Sequence, residues 1–297
     1  MADNEEVVGT ELTEEEAEEQ ALLAITNDLD NFVDLKYRNQ GITITTGNLK
    51  GGVSKTTTTV LVAYCLAKRG IRTLIVDMDQ QANASWSMRL TKKRAEGEEQ
   101  VVPVLRSVMG CFLGENLEDT IIPIIENLDL LPSNADLRGF AKHLYTRVPE
   151  NINIDFLLKN LLDPIKENYD IILIDTPPHS MEITNNVAVA SDYVFIPLQT
   201  QEYSLNGALT YYEDIDEINK MYGLDLAMLG VVPVMLSKQS VSDAKYHEEA
   251  IEEFGYDILF RTVITNMERI KKFATVGIGA DDFHDKTVLQ KFDMFTN

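Results

Sequence analysis

Residues 48–59 read NLKGGVSKTTTT, and this glycine-rich segment stands between a short apolar strand and a helix. The strand is predicted over Ile42–Thr46 and the helix over Lys55–Arg69. In a strand–turn–helix of this kind, Gly51 and Gly52 allow backbone N–H groups to converge on the oxygens of a phosphate, and the helix N-terminus adds a favourable dipole. The segment therefore predicts an α/β fold with a phosphate site at the end of a strand.

The side chains of this loop indicate a nucleotide with a metal ion. Lys55 is placed to reach the β and γ phosphates, and the Thr56 hydroxyl is placed to bind Mg²⁺. The strict pattern GxxxxGK[ST] is not met, because Leu49 and Ser54 stand at its two glycine positions. If Ser54 has right-handed backbone, its Cβ costs little; in left-handed backbone it costs about 1 kcal/mol or more. We expect nucleotide binding to survive, because the other loop residues are retained.

From Gly41 onward, short apolar runs alternate with helical stretches. The predicted strands are Ile42–Thr46, Thr73–Asp77, Leu128–Leu131, Ile171–Asp175, Tyr193–Leu198, Met228–Met235 and Ile258–Val263. The clearest predicted helices are Lys55–Arg69, Ile154–Leu162 and Leu209–Tyr222. Nearly continuous apolar strands separated by helices indicate a parallel sheet that is covered on both faces. We therefore predict one doubly wound α/β domain over residues 41–297, with a mostly parallel sheet flanked by helices.

The charge of the chain is concentrated near its beginning. Of the formal net charge of −22, residues 1–40 carry −10. Two patterns predict a helix there, namely a capping box at Thr13-x-x-Glu16 and an apolar stripe of Leu22, Ile25, Leu29 and Phe32. We predict an acidic, partly helical extension over residues 1–40 that either docks on its own domain or grips a partner. The remaining residues are acidic too, so any contact with nucleic acid must come from a local basic patch.

The composition favours a cytoplasmic protein. The 297 residues include 2 cysteines, Cys65 and Cys111, and these form no CxxC pair, so a disulfide scaffold or a zinc site is not expected. We expect Cys65, inside the helix after the phosphate loop, to be a buried structural residue. The N-terminus lacks the pattern of a signal peptide, and no apolar run approaches the roughly 18 residues that span a bilayer.

Several motifs in sequence order resemble the ParA/MinD family of P-loop ATPases. KGGVSKTT is similar to the deviant Walker A motif KGGxxKT of that family, and LIVDMDQQANAS (residues 74–85) is similar to the ParA switch segment. YDIILIDTPP (169–178) resembles the Walker B strand, and residues 185–209 resemble the helix, strand and loop that follow it. The resemblance covers about residues 42–275 and implies a P-loop NTPase fold with ATP and Mg²⁺ as cofactors.

The resemblance also assigns roles to individual residues. The nucleotide would be held by Lys50, Gly51, Gly52, Val53, Ser54, Lys55, Thr56 and Thr57. In this family the early lysine, here Lys50, reaches across a dimer interface to the nucleotide of the other subunit, so Lys50 is a predicted catalytic residue together with Lys55. The third is Asp79, which matches the aspartate that orients or activates the attacking water.

Three further positions are predicted to hold the metal ion. Thr56 would bind Mg²⁺ through its hydroxyl, and Asp175 matches the Walker B acid, which usually holds Mg²⁺ through water. Asp77 at its strand end either supports the Mg²⁺ shell or is an ordinary helix cap. Adenine contact is predicted at Pro233 and Met235, with plain strand packing as the alternative. Gln80 stands where the family usually has proline, which frees the switch backbone without removing a catalytic group.

The resemblance implies a slow, partner-stimulated ATPase that forms an ATP-dependent homodimer and binds DNA without sequence preference. Such a protein segregates a plasmid, phage or chromosome with a ParB-like adaptor, and it is nucleoid-associated when ATP is bound. The predicted DNA-binding residues lie in and before the cluster ERIKK (268–272): Arg261, Arg269, Lys271 and Lys272. A second dense basic run is RLTKKR (89–94), although charge runs are often only solvated faces.

Two other functions remain as alternatives. A MinD-like membrane switch needs a basic amphipathic C-terminal helix, whereas the segment KTVLQKFDMFTN has few cations, so no membrane partner is expected. A nucleotide-gated scaffold remains open if Ser54 has silenced hydrolysis while binding persists. The ATPase rate with and without partner and DNA separates that scaffold from an active ATPase.

Overall fold

One sheet of eight strands organises the part of the chain that the structure describes. This computed structural model describes residues 40–199, 202–236, 241–260, 262–265, 268–294 and 296. The strands are β1 (Ile42–Thr46), β2 (Thr73–Asp77), β3 (Ile122–Ile125), β4 (Leu128–Leu131), β5 (Ile171–Asp175), β6 (Tyr193–Gln199), β7 (Ala227–Leu236) and β8 (Ile264–Thr265). Their order is β3-β4-β2-β5-β1-β6-β7-β8, and all neighbours run parallel except β3 and β4.

Helices connect the strands. They are α1 (Lys55–Lys68), α2 (Asn83–Glu96), α3 (Val108–Phe112), α4 (Phe140–Arg147), α5 (Leu157–Leu162), α6 (Met181–Ala190), α7 (Glu202–Tyr222), α8 (Val241–Phe254), α9 (Glu268–Val276) and α10 (Phe283–Asp293). Short 3-10 turns precede α4 and α5 and follow α5.

The central strands are buried along their whole length, which explains their continuous apolar sequences. Every residue of β2 and of β5 is buried. On one face, Leu74, Val76, Ile172 and Ile174 belong to a core cluster that also includes residues of α3, α4, α5 and α6. Helix α1 packs against β1, β2 and β5. The predicted doubly wound, mostly parallel α/β fold is therefore confirmed.

Two details of the predicted strand pattern were wrong. Within the described part of the predicted strand Ile258–Val263, Leu259 makes only an isolated bridge to Val231 and no strand is formed; the strand that pairs with β7 on this side is β8. The edge strand β3 was missed. It runs antiparallel to β4 and is joined to it by a turn in which Asn127 has a φ of 64°, the left-handed conformation of tight hairpins.

The predicted acidic extension lies, apart from its last residue, outside the described residues. The described residues belong to one compact unit. The division of the chain near residue 40 stays a prediction, and so does the helix predicted within the extension.

Candidate nucleotide site

The carboxyl ends of three central strands meet at one level of the sheet. In β1, Thr46 stands opposite Asp175 of β5, and Asp77 of β2 stands opposite the same residue. The phosphate loop, residues 47–54, follows β1 directly. Because parallel strands end at the same edge of a sheet, the loop and both predicted carboxylates are brought together where α/β folds place their ligands.

Asn48 fixes the beginning of this loop, and the sequence analysis missed it. Its side chain is buried; Nδ2 donates to Pro197 O at 3.0 Å, and Oδ1 accepts from Lys50 N at 2.8 Å. Gly47 N donates to Phe195 O at 3.1 Å. The loop is therefore bound to strand β6 before its first exposed residue. An Asn whose side chain bonds the backbone two residues later is a known turn pattern, and this was the available signal.

Helix α7 packs directly against the phosphate loop. A Cβ built on Gly207 would lie 3.0 Å from Asn48 Oδ1 and 3.2 Å from Lys50 N. A Cβ built on Gly47 would lie only 1.9 Å from Tyr211 Cζ, so the Tyr211 ring contacts this glycine directly. The direct contact with the Tyr211 ring requires glycine at position 47, whereas at Gly207 a Cβ would make Asn48 or Lys50 shift by a few tenths of an ångström.

Ser54 adopts the costlier of the two conformations considered for it. Its φ of 64° and ψ of 23° are left-handed, and its side chain makes no capping hydrogen bond. Of its neighbours, Gly52 has a φ of 80°, and Val53 is fully buried. Gly51 and Gly52 are exposed. The loop thus presents backbone to a ligand at its tip, while the Val53 side chain belongs to the core.

Helix α1 begins at this loop with no acid in its first turn, so its positive end is uncompensated by side chains. Lys55 Nζ donates to Asn48 O at 3.0 Å and to Lys50 O at 3.2 Å. Burial lowers the pKa of Lys55, and the charges of Asp175 and Asp79 oppose that shift. Burial also lowers the pKa of the half-buried Lys50. Thr56 and Thr57, the remaining predicted phosphate contacts, are half-buried in the first turn of α1.

Asp175 is the least satisfied polar group in the site. It is fully buried, and neither carboxylate oxygen has a hydrogen-bond partner of normal geometry among the described residues. Burial and the nearby Asp77 raise the pKa of Asp175 well above its ordinary value, while the Thr56 hydroxyl and the charge of Lys55 oppose the shift. A buried carboxylate without donors is costly unless a cation completes it. Carboxylate and hydroxyl oxygens are the donors that Mg²⁺ prefers.

Asp77, by contrast, accepts hydrogen bonds at both of its carboxylate oxygens. Its Oδ1 accepts from Asp79 N at 3.0 Å, and its Oδ2 accepts from Ser85 N at 2.8 Å and from Ser85 Oγ at 2.7 Å. Burial raises the pKa of Asp77 to about 6, against these hydrogen bonds. The geometry favours the helix-cap alternative, because Asp77 ties the strand end to α2. Its place in a metal shell stays a prediction.

Asp79 begins the switch segment beside the loop. It is nearly buried, and its Oδ1 accepts from Gln81 N at 2.9 Å. Ala82 ends the segment in left-handed backbone with a φ of 54°, and α2 starts at the next residue. Two non-glycine residues with positive φ, Ser54 and Ala82, therefore stand on either side of the site. Strain of this kind is concentrated at functional positions in proteins.

The remaining predicted contacts lie elsewhere. Pro233 is buried in β7 opposite Leu198, which favours strand packing, and the side chain of Met235 lies outside the described residues. A cavity of about 260 Å³ instead adjoins the loop at Thr56 and Thr57, between α1, α2 and α9. Among the described residues, no three His, Cys, Asp or Glu side chains are grouped to hold a metal ion.

The predicted DNA-binding residues are only partly placed. Arg261 lies outside the described residues, and Lys271 and Lys272 are exposed on α9. Arg269 is engaged elsewhere, because its guanidinium forms ion pairs with Asp282 and Asp285. Arg94 of α2 binds the same Asp285 at 2.9 Å. Arg269 therefore links α9 to the start of α10, and Arg94 links α2 to the same Asp285 carboxylate.

Comparison with known proteins decides the family. A family model described as an AAA domain matches residues 41–228. The sporulation initiation inhibitor protein Soj of Bacillus subtilis is 33% identical over 230 residues, which cover 77% of this chain and 86% of Soj. The chromosome partitioning protein ParA of Myxococcus xanthus is 30% identical over 242 residues, 80% of each chain. The chain belongs to the ParA family of P-loop ATPases.

Solved structures share the ParA fold as well. An ATP complex of a McdA variant from Cyanothece superposes with a TM-score of 0.72 at 23% identity, over 85% of this chain and 94% of that one. At this identity the likeness supports the fold alone. Within the described residues of this ParA-family chain, no helix has the length and apolar character needed to cross a membrane.

Proposed function

We propose that this chain binds Mg-ATP in the phosphate loop, dimerises on it, and hydrolyses it to drive the segregation of DNA. The observation that carries the proposal is the charge arrangement at the start of α1. There, the exposed glycine backbone and the N-terminus of α1, which has no acid in its first turn, adjoin the Lys55 amino group, and the charge of the fully buried Asp175 carboxylate acts on Lys55. This arrangement lacks two things, an anion and a divalent cation, and Mg-ATP supplies both.

The residues of the loop divide the work between binding and charge stabilisation. The Gly51 and Gly52 amides and the α1 N-terminus would bind phosphate oxygens. Lys55 now donates to two loop carbonyls, so it would exchange these for the β and γ phosphates without leaving its position. When bound, Mg²⁺ neutralises phosphate charge, and the Thr56 hydroxyl and Asp175 would hold it, the latter through water. That cation would also remove the cost of burying the charge of Asp175.

Asp79 and Lys50 would complete the chemistry. The Asp79 carboxylate lies just before α2 and accepts a hydrogen bond from Gln81 N in the turn of the switch segment. It would orient a water molecule toward the γ phosphate. The backbone N–H of Lys50 is held by Asn48 Oδ1, and the Lys50 side chain would reach the nucleotide of a second subunit in the ATP-bound dimer. A fixed cation there stabilises the charge that develops on the transferring phosphoryl group.

The wider role rests on the family. The Bacillus subtilis and Myxococcus xanthus relatives are named for sporulation control and chromosome partitioning. We infer that the present chain likewise moves a DNA cargo, with slow hydrolysis that a ParB-like adaptor stimulates, and that the ATP-bound dimer binds DNA without sequence preference on the nucleoid.

The test is the oligomeric state of the full chain by analytical ultracentrifugation with Mg²⁺ and a nonhydrolysable ATP analogue. We expect the wild type to dimerise with the analogue and to remain monomeric with ADP. Lys50→Ala should bind the analogue yet stay monomeric, whereas Lys68→Ala, at the far end of α1, should behave as the wild type. A wild-type monomer at saturating analogue would overturn the proposal.

A further inference from the structure

A short basic segment next to the switch region has no role in the site described above. Arg138 lies in the 3-10 turn before α4, Lys142 and Tyr145 lie on α4, and Arg147 is its last residue. All four side chains are exposed, Tyr145 by 67%. We call Arg138, Lys142, Tyr145 and Arg147 the α4 cationic cluster.

The three cations of this cluster have no carboxylate partner among the described residues. The only hydrogen bond that the Arg138 side chain makes there runs from Nε to Ala135 O at 3.0 Å. The nearest preceding acid, Asp136, is engaged by Ser107 Oγ at 2.6 Å. Elsewhere on this acidic protein, surface cations are commonly paired, as in Arg69–Asp293, Arg72–Asp170, Lys92–Glu96, Lys159–Asp163 and Lys220–Asp216.

The cluster adjoins the segment that senses the nucleotide. Arg138 lines a cleft together with Gln80, Gln81 and Ala82, the residues that follow Asp79. The other wall of the cleft is Asn134 and Ala135, which lead into the turn that carries Arg138. A movement of the switch segment on ATP binding would therefore reach the first cation of the cluster directly.

The predicted DNA-binding site on α9 is less suited to phosphate. Arg269 is held by Asp282 and Asp285, and Asp281 is bound to Arg94 in the same group. An anion approaching Arg269 meets these three carboxylates, whereas no acid stands between residues 137 and 149 around the α4 cationic cluster. Local charge, and not net charge, decides phosphate contact.

We propose that the α4 cationic cluster is the surface through which the ATP-bound form contacts the sugar–phosphate backbone of DNA. This inference rests on the proposed function. The three cations follow one another after four and five residues, roughly 6–8 Å along the segment, and Lys142 and Arg147 point about 140° apart around α4, so their long side chains would contact separate phosphates instead of one compact anion. Tyr145 adds an aromatic face for a sugar or an unpaired base. An acidic protein surface is less well matched, because protein interfaces bury an apolar core and the cluster offers one aromatic ring.

The test compares two double variants of the full chain. Lys142→Ala/Arg147→Ala removes two cations of the cluster, and Lys271→Ala/Lys272→Ala removes two from α9. Binding to a short duplex of random sequence is measured against salt concentration, with Mg²⁺ and a nonhydrolysable ATP analogue. ATP-dependent dimerisation, measured in parallel, shows that each variant is folded.

We expect the Lys142→Ala/Arg147→Ala variant to lose at least tenfold in affinity. The slope of log K against log salt should fall by about two per subunit, because each lost phosphate contact removes about one counterion. The Lys271→Ala/Lys272→Ala variant should change less. Tyr145→Ala should weaken binding to single-stranded DNA more than Tyr145→Phe does.

Three results would overturn the inference, and they are distinguishable. If the wild-type dimer binds no DNA, the proposed DNA binding fails as well. If the wild type binds and Lys142→Ala/Arg147→Ala keeps the same affinity and slope, the inference alone fails. If the wild type binds polyglutamate as tightly as DNA and the variant loses both, the cluster is a site for an acidic protein.

Discussion

Ser54 has a backbone conformation that favours glycine over a residue with a side chain. It stands in left-handed backbone at the start of α1, where a Cβ costs about 1 kcal/mol, and its hydroxyl makes no compensating capping bond. The cost is small beside the binding energy of a nucleotide at micromolar affinity, about 8 kcal/mol. We therefore expect this serine to weaken the loop without disabling it.

A substitution series at Ser54 tests this directly. Ser54→Gly should tighten ATP binding by less than about tenfold, because the loop already has the left-handed conformation at this residue and the strain that glycine could relieve is only about 1 kcal/mol. Ser54→Ala should be neutral, since the hydroxyl is unused, and Ser54→Val should bind more weakly, since β-branched residues tolerate positive φ least. Calorimetric titration with ATP measures all three. A gain of several orders of magnitude in ATP affinity in Ser54→Gly would contradict this account and would favour the alternative of a scaffold that does not hydrolyse ATP.

Asp175 makes the stability of the protein without Mg²⁺ sensitive to pH. Its folded-state pKa is raised above the ordinary 3.8, so its contribution to stability is fully present below that value and is lost as the pH rises through the folded-state pKa. In Mg²⁺-free buffer, Asp175→Asn should unfold at higher urea concentration than the wild type at pH 7.5, and the difference should vanish near pH 4. The variant should also lose ATPase activity.

Asp170→Asn is the matched control for this measurement. Hydrogen bonds from Arg72 lower the pKa of Asp170, so its contribution is present above the ordinary 3.8 and is lost as the pH falls. Asp170→Asn should therefore be destabilised at pH 7.5, opposite in sign to Asp175→Asn. Identical pH profiles for the wild type and Asp175→Asn would contradict the assignment of a strained carboxylate.

At the scale of elements, helix α7 is the feature that the sequence pattern described least well. Its predicted start was Leu209, but the helix begins at Glu202, because Gly207 interrupts the helical pattern without interrupting the helix. That glycine is present for contact with Asn48 and Lys50, a tertiary reason that no local pattern reveals. Strand β8 was misplaced for a similar reason, since a two-residue strand carries almost no periodicity of its own.

The central elements, in contrast, were predictable to the residue. Strands β1, β2, β4 and β5 have the predicted bounds, because buried parallel strands are apolar throughout and end in turn residues. For the site, the motif spacing located the loop, Lys55 and Asp175. The spacing could not show that Asp77 is hydrogen-bonded to Ser85 or that Arg269 is paired with Asp282 and Asp285. Both interactions depend on residues that are brought together only by folding.

Gly207→Ala should distinguish the effect of α7 on the position of the phosphate loop from its effect on the stability of the helix. The new Cβ would approach Lys50 N to 3.2 Å, so the loop must shift and the ATPase rate should fall about tenfold or more. The unfolding free energy should change little, since alanine gains up to about 1 kcal/mol in helix propensity. The exposed neighbour Asn206→Ala, assayed for ATPase rate and urea unfolding, is the control. Full activity in Gly207→Ala would show that α7 does not position Lys50.

At the scale of the whole molecule, the proposed exchange of Lys50 between subunits predicts complementation. Lys50→Ala and Asp79→Ala should each be inactive alone. Each mixed dimer has one complete site, and random pairing would make half of the dimers mixed, so at most about a quarter of the wild-type ATPase rate should return, and less because each mixed dimer lacks one of its two Lys50 contacts. Mixing Lys50→Ala with the double variant Lys50→Ala/Asp79→Ala should restore nothing. If Lys50 serves its own subunit, no mixture recovers activity.

The two edges of the sheet set a limit on how copies of this protein can gather. At one edge, β3 has four residues and carries Pro123, which offers no N–H; at the other, β8 has two residues. Short edges interrupted by proline resist extension by a strand from another chain. If copies of this protein associate as proposed, the sheet edges favour contacts through side chains and nucleotide over a fibre bonded strand to strand.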